Sequence, residues 1–273
     1  MPLEVRSLAE WEADGVPGLL SVVIPAHDEE GHIADTVRGI HAALAQAGVT
    51  HEILVVNDNS RDRTEAVLRD LQATVPPLRY INNSPPNGFG FAVRAGLSAF
   101  RGDAVAIVMA DGSDSPADLV AYVRKLQDGY DCVFGSRFIR GAQLVDYPLP
   151  KKIMNRMANF VIRTLFWMSY NDVTNAFKLY RRSVIAGIQP LLAYHFNLTV
   201  ELPLKAIVRG YSFAVVPTSW FNRTEGVSKF KIKEMGSRYL FIVLYCYLEK
   251  YLAREDYRDR SDLRDKQLQV WSR

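Results

Sequence analysis

The chain has 273 residues, of which 48% are hydrophobic and 23% charged, a composition ordinary for a globular protein. Its 33 Lys and Arg residues against 30 Asp and Glu give a net charge of +3, without the strong basic bias of a nucleic-acid-binding protein. No apolar run reaches the ~20 residues that span a bilayer, and the N-terminal stretch carries acids in place of the apolar core of a signal peptide.

The first half of the chain alternates between strand and helix patterns. Short apolar runs predict strands at residues 19–25, 52–58, 78–83, 103–111 and 130–138. Apolar residues at helical spacing predict helices between them at 32–48, 60–75, 90–102 and 116–129. Ser60 is the expected N-cap of the second helix. This alternation predicts a mostly parallel sheet with helices on both faces.

Polar side chains gather where four of these strands end, at residues 27–29, 57–60, 111–114 and 135–137. Ligands of parallel sheets bind beyond the carboxyl ends of the strands. One shared site is therefore a better explanation of the four clusters than four unrelated turns.

The pattern changes after Arg140. In chain order we expect a mobile loop at residues 141–152 and an amphipathic helix at 151–170. A turn with a short strand at 171–185, a further helix at 196–210 and a last strand at 211–217 follow. Three parts are predicted: an N-terminal extension at residues 1–18, one catalytic domain at 19–233, and an amphipathic helix with a charged tail at 234–273.

The two cysteines, Cys132 and Cys246, lie far apart within apolar runs. This placement predicts reduced core residues of a cytoplasmic protein, with neither a disulfide framework nor a metal site.

A nucleotide would have to bind here without a glycine loop. Gly88 and Gly90 lack the third glycine of a dinucleotide fingerprint and do not follow a strand directly, and there is no P-loop. A nicotinamide-dependent dehydrogenase is therefore disfavoured. Carboxylates and a metal ion would have to hold the phosphates. Asp111 and Asp114 are the candidates, although Asp114 could instead cap the helix that starts near Pro116.

Several motifs together resemble family 2 glycosyltransferases of the GT-A fold, and most of all the dolichol-phosphate-mannose synthase branch. They are "VVIPAHDEEGHI", "ILVVNDNSRDRT", "NGFGFAVRAGL", "MADGSDSP", "GSRF" and "NRTEGVSKFK", in the family's order. The resemblance implies a mostly parallel twisted sheet and transfer of a sugar from a nucleotide sugar to a polyprenyl phosphate.

The resemblance assigns the donor nucleotide to the first strand ends. Pro25, His27 and Glu29 match the family's P-x-Y-N-E motif, with His27 in place of tyrosine, so that a GDP-sugar and a UDP-sugar both remain open. Asp58 would bind the base or the ribose, or else serve only as a turn residue.

The resemblance also implies a divalent cofactor. Asp111 matches the second aspartate of the family's metal motif, and Met109 replaces the first. Mg²⁺ or Mn²⁺ can bind through one or two carboxylates together with phosphate oxygens and water, so that Asp111 can suffice. Asp114 is expected to contribute as a ligand, directly or through water.

By resemblance, the acceptor phosphate binds to Arg137, Lys152, Arg156, Arg223 and Lys229. Arginine suits this role because it binds phosphate with two parallel hydrogen bonds. A solvated surface charge is the alternative for each of these residues. Asp172 falls in a turn that matches the family's D-P-T-S-G-F motif, and it could be purely structural.

The predicted reaction is an inverting displacement, with Asp111, Arg137 and Arg223 as catalytic residues. Three alternatives remain: a family 2 transferase with a soluble or polysaccharide acceptor, a nucleotide-sugar-binding protein that has lost catalysis, and the dehydrogenase. The argument for lost catalysis is Met109, which replaces the first aspartate of the metal motif.

We also expect peripheral association with the inner face of the membrane. Basic residues accompany large apolar ones in segments 151–170 and 229–252, a pattern of interfacial helices. Burial of these runs against the domain, or contact with a second copy or a membrane-protein partner, is the alternative.

Overall fold

A seven-stranded sheet forms the centre of the computed structural model, which describes residues 18–221 and 232–253, with side chains in the second range from residue 236. Its strand order is β3-β2-β1-β4-β7-β5-β8. The strands are β1 (Leu20–Ala26), β2 (His51–Asn57), β3 (Leu78–Asn82), β4 (Ala104–Ile107), β5 (Cys132–Ser136), β7 (Lys178–Arg181) and β8 (Phe213–Pro217). Two short strands, β6 (Leu144–Val145) and β9 (Trp220–Phe221), form a second, parallel pair.

The sheet is mostly parallel, as predicted. β1 pairs in parallel with β2 and β4, β2 with β3, and β5 with β8, whereas β7 runs antiparallel between β4 and β5. Because β7 runs the other way, its first residue lies at the edge where the parallel strands end. The turn that precedes β7 is therefore delivered to the same edge as the ends of β1, β2, β4 and β5.

Helices cover both faces of the sheet. They are α1 (Ile33–Gln46), α2 (Thr64–Gln72), α3 (Phe89–Ala99), α4 (Pro116–Gln127), α5 (Leu149–Phe166), α6 (Arg182–Gly187), α7 (Leu198–Val208) and α8 (Ile232–Leu252). Successive residues of β1 alternate between two cores, with Val22 among the residues of α1, α2 and α4 and Val23 among those of α3, α5, α6, α7 and α8. This alternation is what a strand covered on both faces requires.

Both cysteines are free and buried, as predicted. Cys132 lies within β5, and Cys246 lies on the inner face of α8.

Three local predictions were wrong. The fourth strand ends at Ile107 and not at residue 111, because the chain turns once Asp114 accepts the backbone N–H of Met109. Ser60 does not cap the second helix, which begins at Thr64, and its hydroxyl instead accepts the backbone N–H of Asp28.

The third is the predicted loop at residues 141–152, parts of which are strand and helix; its mobility stays a prediction. Within it, Leu144–Val145 pairs with Trp220–Phe221 as β6 and β9. The backbone N–H of Trp220 also donates to the carbonyl of Gln143 at 2.8 Å. These contacts tie the loop to the metal motif, because Trp220 also forms an isolated bridge with Asp114.

The C-terminal helix α8 is fixed to the domain by a buried ion pair. Arg209 donates from Nε to Glu249 Oε1 at 2.7 Å and from Nη2 to Oε2 at 3.2 Å. Ile242 and Cys246 lie on the same inner face in the core. None of the helices within residues 18–221 and 232–253 is long and apolar enough to cross a membrane.

Candidate active site

The strand ends bring the predicted donor residues together. Asp28 adopts a left-handed backbone conformation, with φ of 55°, directly after β1. This turn lets His27 Nδ1 lie 2.7 Å from the carbonyl oxygen of Asp58, across the gap between β1 and β2. The His27 imidazole is 42% exposed at this edge, whereas Pro25 is buried within β1.

The Asp58 carboxylate is buried and already binds the loop after β3. Its Oδ1 accepts the side-chain N–H groups of Asn83 and Asn87, at 2.7 and 2.9 Å, and its Oδ2 accepts the backbone N–H of Gly88 at 2.6 Å. Three donors are ample compensation for a buried carboxylate. Asp58 therefore fixes this loop at the edge of the sheet, and its contact with the base or the ribose stays a prediction.

Gly90 permits a close approach of two backbones beside this loop. A Cβ at Gly90 would lie 2.2 Å from the carbonyl carbon of Tyr194 and 2.4 Å from the nitrogen of His195. Helix α3 and the segment before α7 therefore meet with no side-chain layer between them. Of the two glycines that failed as a dinucleotide fingerprint, Gly90 serves packing, whereas Gly88 has a positive φ of 135° and donates its N–H to Asp58.

The two aspartates of the metal motif differ in their surroundings. Asp111 is half-buried, and its Oδ1 accepts the backbone N–H of Ser113 at 3.1 Å. Asp114 is buried, and its Oδ2 accepts the N–H of Met109 at 2.9 Å. Asp114 does not cap the helix, because α4 begins after Ser115 without a side-chain cap.

Burial raises the pKa of Asp114 to about 7, and the negative charge of Asp111 adds to the increase against the hydrogen bond from Met109. Asp114 is then only partly ionised near neutral pH in the metal-free protein, and a bound cation would favour its charged form. Among the side chains that the structure describes, no three His, Cys, Asp or Glu residues converge on one point. The donor set fits Mg²⁺ or Mn²⁺ held by Asp111 together with phosphate oxygens and water.

Arg137 and Asp172 form a buried ion pair at the end of β5. The guanidinium donates from Nε and Nη2 to the two carboxylate oxygens, each at 2.8 Å, and the Arg137 backbone N–H donates to Oδ2 at 2.9 Å. Burial alone would lower the pKa of Arg137, but the Asp172 carboxylate raises it overall. The arginine is thus permanently charged and held in one orientation.

A second buried cation, Lys178, lies behind this pair at the start of β7. Its Nζ donates to the carbonyl oxygens of Val173, Asn175 and Thr199, the first and last at 3.0 and 3.1 Å. Burial lowers the pKa of Lys178 to about 7, against the opposing effect of Asp172. The lysine ties the turn that carries Asp172 to helix α7.

Aromatic side chains lie between the cations on the predicted acceptor side. The Tyr147 hydroxyl accepts hydrogen bonds from Asn155 Nδ2 and, at 3.4 Å, from Arg137 Nη1. Lys151 Nζ lies 5.4 Å from the centre of the Tyr147 ring and 5.2 Å from that of Trp220. These five residues form what we call the acceptor cluster.

Two other predicted acceptor residues that the structure describes, Lys152 and Arg156, are not among these five. Lys152 is exposed on the first turn of α5, and Lys151, one residue earlier, is the lysine that reaches Tyr147. Arg156 lies with its guanidinium carbon 5.1 Å from the centre of the Phe138 ring. Arg223 and Lys229 fall outside the described residues.

Sequence reasoning did not identify Tyr147 or Trp220 as site residues. Tyr147 lies in a segment with the composition of a mobile loop, and Trp220 lies in a two-residue strand. The basic cluster at the start of the amphipathic helix was the available signal, because lysine and arginine are attracted to the faces of tyrosine and tryptophan rings.

Comparisons with known proteins identify the family of the chain. The family model described as Glycosyl transferase family 2 matches residues 21–188. Polyprenol monophosphomannose synthase of Mycolicibacterium smegmatis is 30% identical over 233 residues, which are 80% of this chain and 86% of that protein. Dolichol-phosphate mannosyltransferase of Pyrococcus furiosus is 28% identical over 217 residues, which are 78% of this chain and only 60% of that protein.

Solved structures show the same fold. Glucosyl-3-phosphoglycerate synthase from Mycobacterium tuberculosis, crystallised with Mn²⁺, UDP and glucosyl-3-phosphoglycerate, matches with a TM-score of 0.63 at 18% identity, over 92% of this chain and 86% of that one. The predicted GT-A fold is thus confirmed. The family model covers more than half of the chain, so the chain belongs to glycosyl transferase family 2 and, as its relatives indicate, to the dolichol-phosphate-mannose synthase branch of these glycosyltransferases.

Proposed function

We propose that the protein transfers a sugar from a nucleotide sugar to a polyprenyl phosphate at a membrane surface, with inversion at the anomeric carbon. One observation carries the proposal: helix α5 starts in the acceptor cluster and presents an apolar face to the outside. Lys151 on its first turn faces Tyr147, and further along the helix Met157 and Phe160 are exposed. A single helix thus joins a cationic phosphate site to a surface suited to a lipid tail.

The chemistry needs little from a general base. A phosphate monoester has a second pKa of about 6, so the acceptor is largely a dianion near neutral pH. It has to be held in line with the anomeric carbon, and orientation of this kind can supply much of a rate enhancement. Arg137 and Lys151 serve this purpose, because a cation binds the phosphate without removing its nucleophilic lone pairs.

The leaving group is a nucleoside diphosphate on the donor side. Asp111 would hold Mg²⁺ or Mn²⁺ there, and the ion would neutralise the charge that develops on the diphosphate. His27 and Glu29 border the same edge and are proposed to contact the nucleoside. Asp58 contributes by fixing the loop of Asn83–Gly88, whose amides it binds.

Two helices form the proposed membrane surface. Exposed apolar residues lie on α5 and just after it, and on α8: Leu149, Ile153, Met154, Met157, Phe160, Val161, Trp167, Leu240, Phe241, Leu244, Leu248, Tyr251 and Leu252. We call this set the apolar face. The helices meet where Lys250 Nζ donates to the carbonyl of Phe166 at 2.6 Å. Burial of both runs against the domain, the first alternative from the sequence, is wrong for these residues.

The apolar face is suited to the lipid interface. Interfacial helices sink their apolar side about 5–10 Å into the headgroup boundary. Lys152 and Arg163 are exposed on α5, and cations near anionic headgroups add roughly 1 kcal/mol each. We therefore propose peripheral association with the cytoplasmic face of the membrane.

A transfer assay tests the proposed function. The purified chain is incubated with radiolabelled GDP-mannose or UDP-glucose, Mn²⁺ and a short-chain polyprenyl phosphate in detergent, and the lipid phase is counted. Label in the lipid phase is the expected result. Hydrolysis of the nucleotide sugar with no lipid product would favour a soluble or polysaccharide acceptor, and the absence of both activities would favour a binding protein.

A further inference from the structure

We infer that the Tyr147 hydroxyl is itself an acceptor-binding group, which donates a hydrogen bond to the phosphate that Arg137 and Lys151 attract. This inference rests on the proposed function, since it specifies how the same site holds its phosphate. It adds a neutral hydrogen-bond donor to a pair of cations.

The Tyr147 hydroxyl accepts hydrogen bonds but does not use its own proton in either of them. Asn155 Nδ2 and Arg137 Nη1 are both donors, so the Tyr147 oxygen accepts both bonds. A phenol has one proton to donate in addition to its lone pairs. In the part of the chain that the structure describes, no acceptor takes that proton from Tyr147, and an arriving phosphate oxygen can do so.

Arg137 alone cannot satisfy a phosphate. Its Nε and Nη2 already donate to Asp172, so the usual two-pronged contact with an oxyanion is directed at a carboxylate. Nη1 is the nitrogen that points toward Tyr147, at 3.4 Å from the hydroxyl. A phosphate that reaches Nη1 therefore arrives beside the Tyr147 oxygen, where a second donor is needed.

The Tyr147 ring holds the cations in place around this point. Arg137 Cζ lies 5.6 Å and Lys151 Nζ 5.4 Å from the ring centre, and the Trp220 ring meets it edge-on at 4.8 Å between centroids. Contacts between a cation and an aromatic face stabilise the cation without neutralising it. The ring can thus keep two positive charges near each other without neutralising either.

The hydroxyl is protonated at working pH. Burial raises the pKa of Tyr147, and this effect outweighs the opposing influence of the Arg137 charge. The side chain therefore offers an O–H donor and not a phenolate, which would repel the acceptor.

The test is Tyr147→Phe, which keeps the ring and removes the hydroxyl. Loss of a hydrogen bond to a charged group corresponds to about 10- to 100-fold, so we expect the KM for a short-chain polyprenyl phosphate to rise by about that factor. An interaction made equally in the ground and transition states changes KM and leaves kcat alone, so kcat and the KM for the nucleotide sugar should stay within about twofold.

Tyr130→Phe is the matched control. Tyr130 also faces a lysine, with Lys125 Nζ at 6.0 Å from its ring centre, but it lies just before β5, at the opposite end of that strand from Arg137. Removal of the Tyr130 hydroxyl should leave every kinetic constant unchanged. An unchanged acceptor KM in Tyr147→Phe, or an equal effect in both variants, would overturn the inference.

A binding measurement separates this inference from the proposed function. Inorganic phosphate should raise the melting temperature of the wild-type protein, and less so that of Tyr147→Phe, whether or not any lipid is glycosylated. If the wild type transfers no sugar to lipid, the proposed function fails. Independently of that result, an equal phosphate-induced rise in melting temperature in the two proteins would refute the role of Tyr147. A ligand-free melting temperature several degrees below that of the wild type would assign Tyr147 to folding instead.

Discussion

Arg137 contacts the Asp172 carboxylate through three N–H groups, two from its guanidinium and one from its backbone. Both side chains are almost fully buried, at 8% and 0% exposed. The arginine expected to bind the acceptor phosphate is thus anchored by the aspartate that the sequence left as possibly structural. Asp172 fixes the position of the charge, and Arg137 in turn stabilises the turn before β7.

This pairing changes what Arg137→Ala is expected to do. Truncation leaves the Asp172 carboxylate buried without its partner, and breaking a buried pair in this way costs about 3–5 kcal/mol of unfolding free energy. Chemical denaturation should show this loss, and the double variant Arg137→Ala with Asp172→Asn should recover part of it. Equal stabilities of the single and double variants would contradict a direct pairing.

Arg137→Lys tests catalysis with less damage to the fold. Lysine keeps the charge but cannot reproduce the two-pronged contact with Asp172. Transfer to polyprenyl phosphate should fall at least tenfold, while the affinity for the nucleoside diphosphate stays within a few fold. A large loss of nucleotide affinity together with normal acceptor saturation would assign Arg137 to the donor instead.

Asp111→Asn should remove the metal-dependent part of nucleotide binding. The melting temperature is measured with GDP or UDP, with and without Mn²⁺, because a ligand that binds the folded state raises its apparent stability. The Mn²⁺-dependent increment should vanish in the variant. Asp128→Asn is the control, because Asp128 pairs with Lys125 on the surface at the end of α4. An unchanged increment in Asp111→Asn would disprove the metal role.

Lipid binding should depend on the apolar face. Phe160 and Trp167 are 70% and 86% exposed, so Phe160→Ser with Trp167→Ser removes much apolar area without opening the core. We expect flotation with vesicles that contain anionic lipid to fall at least fivefold. Wild-type binding should weaken at high salt, since headgroup attraction is screened.

Two outcomes would redirect this prediction. If the wild type does not float with anionic vesicles, autonomous membrane docking is excluded. A concentration-dependent dimer that the two serine substitutions dissociate would then identify the apolar face as a contact between copies, and a monomer would favour a membrane-protein partner.

Glu249→Gln should loosen helix α8. The change removes the carboxylate that accepts from Arg209 Nε and Nη2, and the expected loss is about 3 kcal/mol of unfolding free energy. Hydrogen exchange should increase most in α8 and α7, which the pair joins. The replacement Arg209→Met with Glu249→Leu is expected to be less damaging than either single change. A uniform increase in exchange over the whole chain would argue against a local tether.

Lys178 should make stability depend on pH above neutrality. The folded protein releases the Lys178 proton near pH 7, whereas the unfolded chain holds it until about pH 10.4. Between these values the unfolded state binds one more proton, so the unfolding free energy rises with pH, by up to about 1.4 kcal/mol per pH unit. The difference in stability between wild type and Lys178→Met should show this slope. A flat difference would mean that the three carbonyl acceptors keep the ammonium charged.

The sequence predicted the central parallel strands β1 and β2 well, because both are buried along almost their whole length and appear as largely apolar runs. Leu20–Ala26 and His51–Asn57 were found to within one residue of their predicted bounds. The antiparallel direction of Lys178–Arg181 could not be predicted from its four residues. Direction depends on which neighbours the strand joins, and no local pattern encodes that.

The candidate site was predictable where it depended on strand ends and unpredictable where it depended on partners. His27, Asp58 and Arg137 follow their strands at one edge, as expected. That Asp172 would bind Arg137 was hidden, because 35 residues separate the two in the chain. The loop residue Tyr147 was hidden for a related reason, since its importance comes from contacts with three other segments.

The contact at Gly90 limits how mutations there could be repaired. Most harmful enlargements in a core can be offset by shrinking a neighbouring side chain, but the atoms nearest to a Cβ at Gly90 are backbone atoms of Tyr194 and His195. No substitution can remove them. Intragenic suppressors of Gly90→Ala should therefore be insertions or deletions in the segment before α7, and in natural relatives a larger residue at this position should accompany a change in the length of that segment.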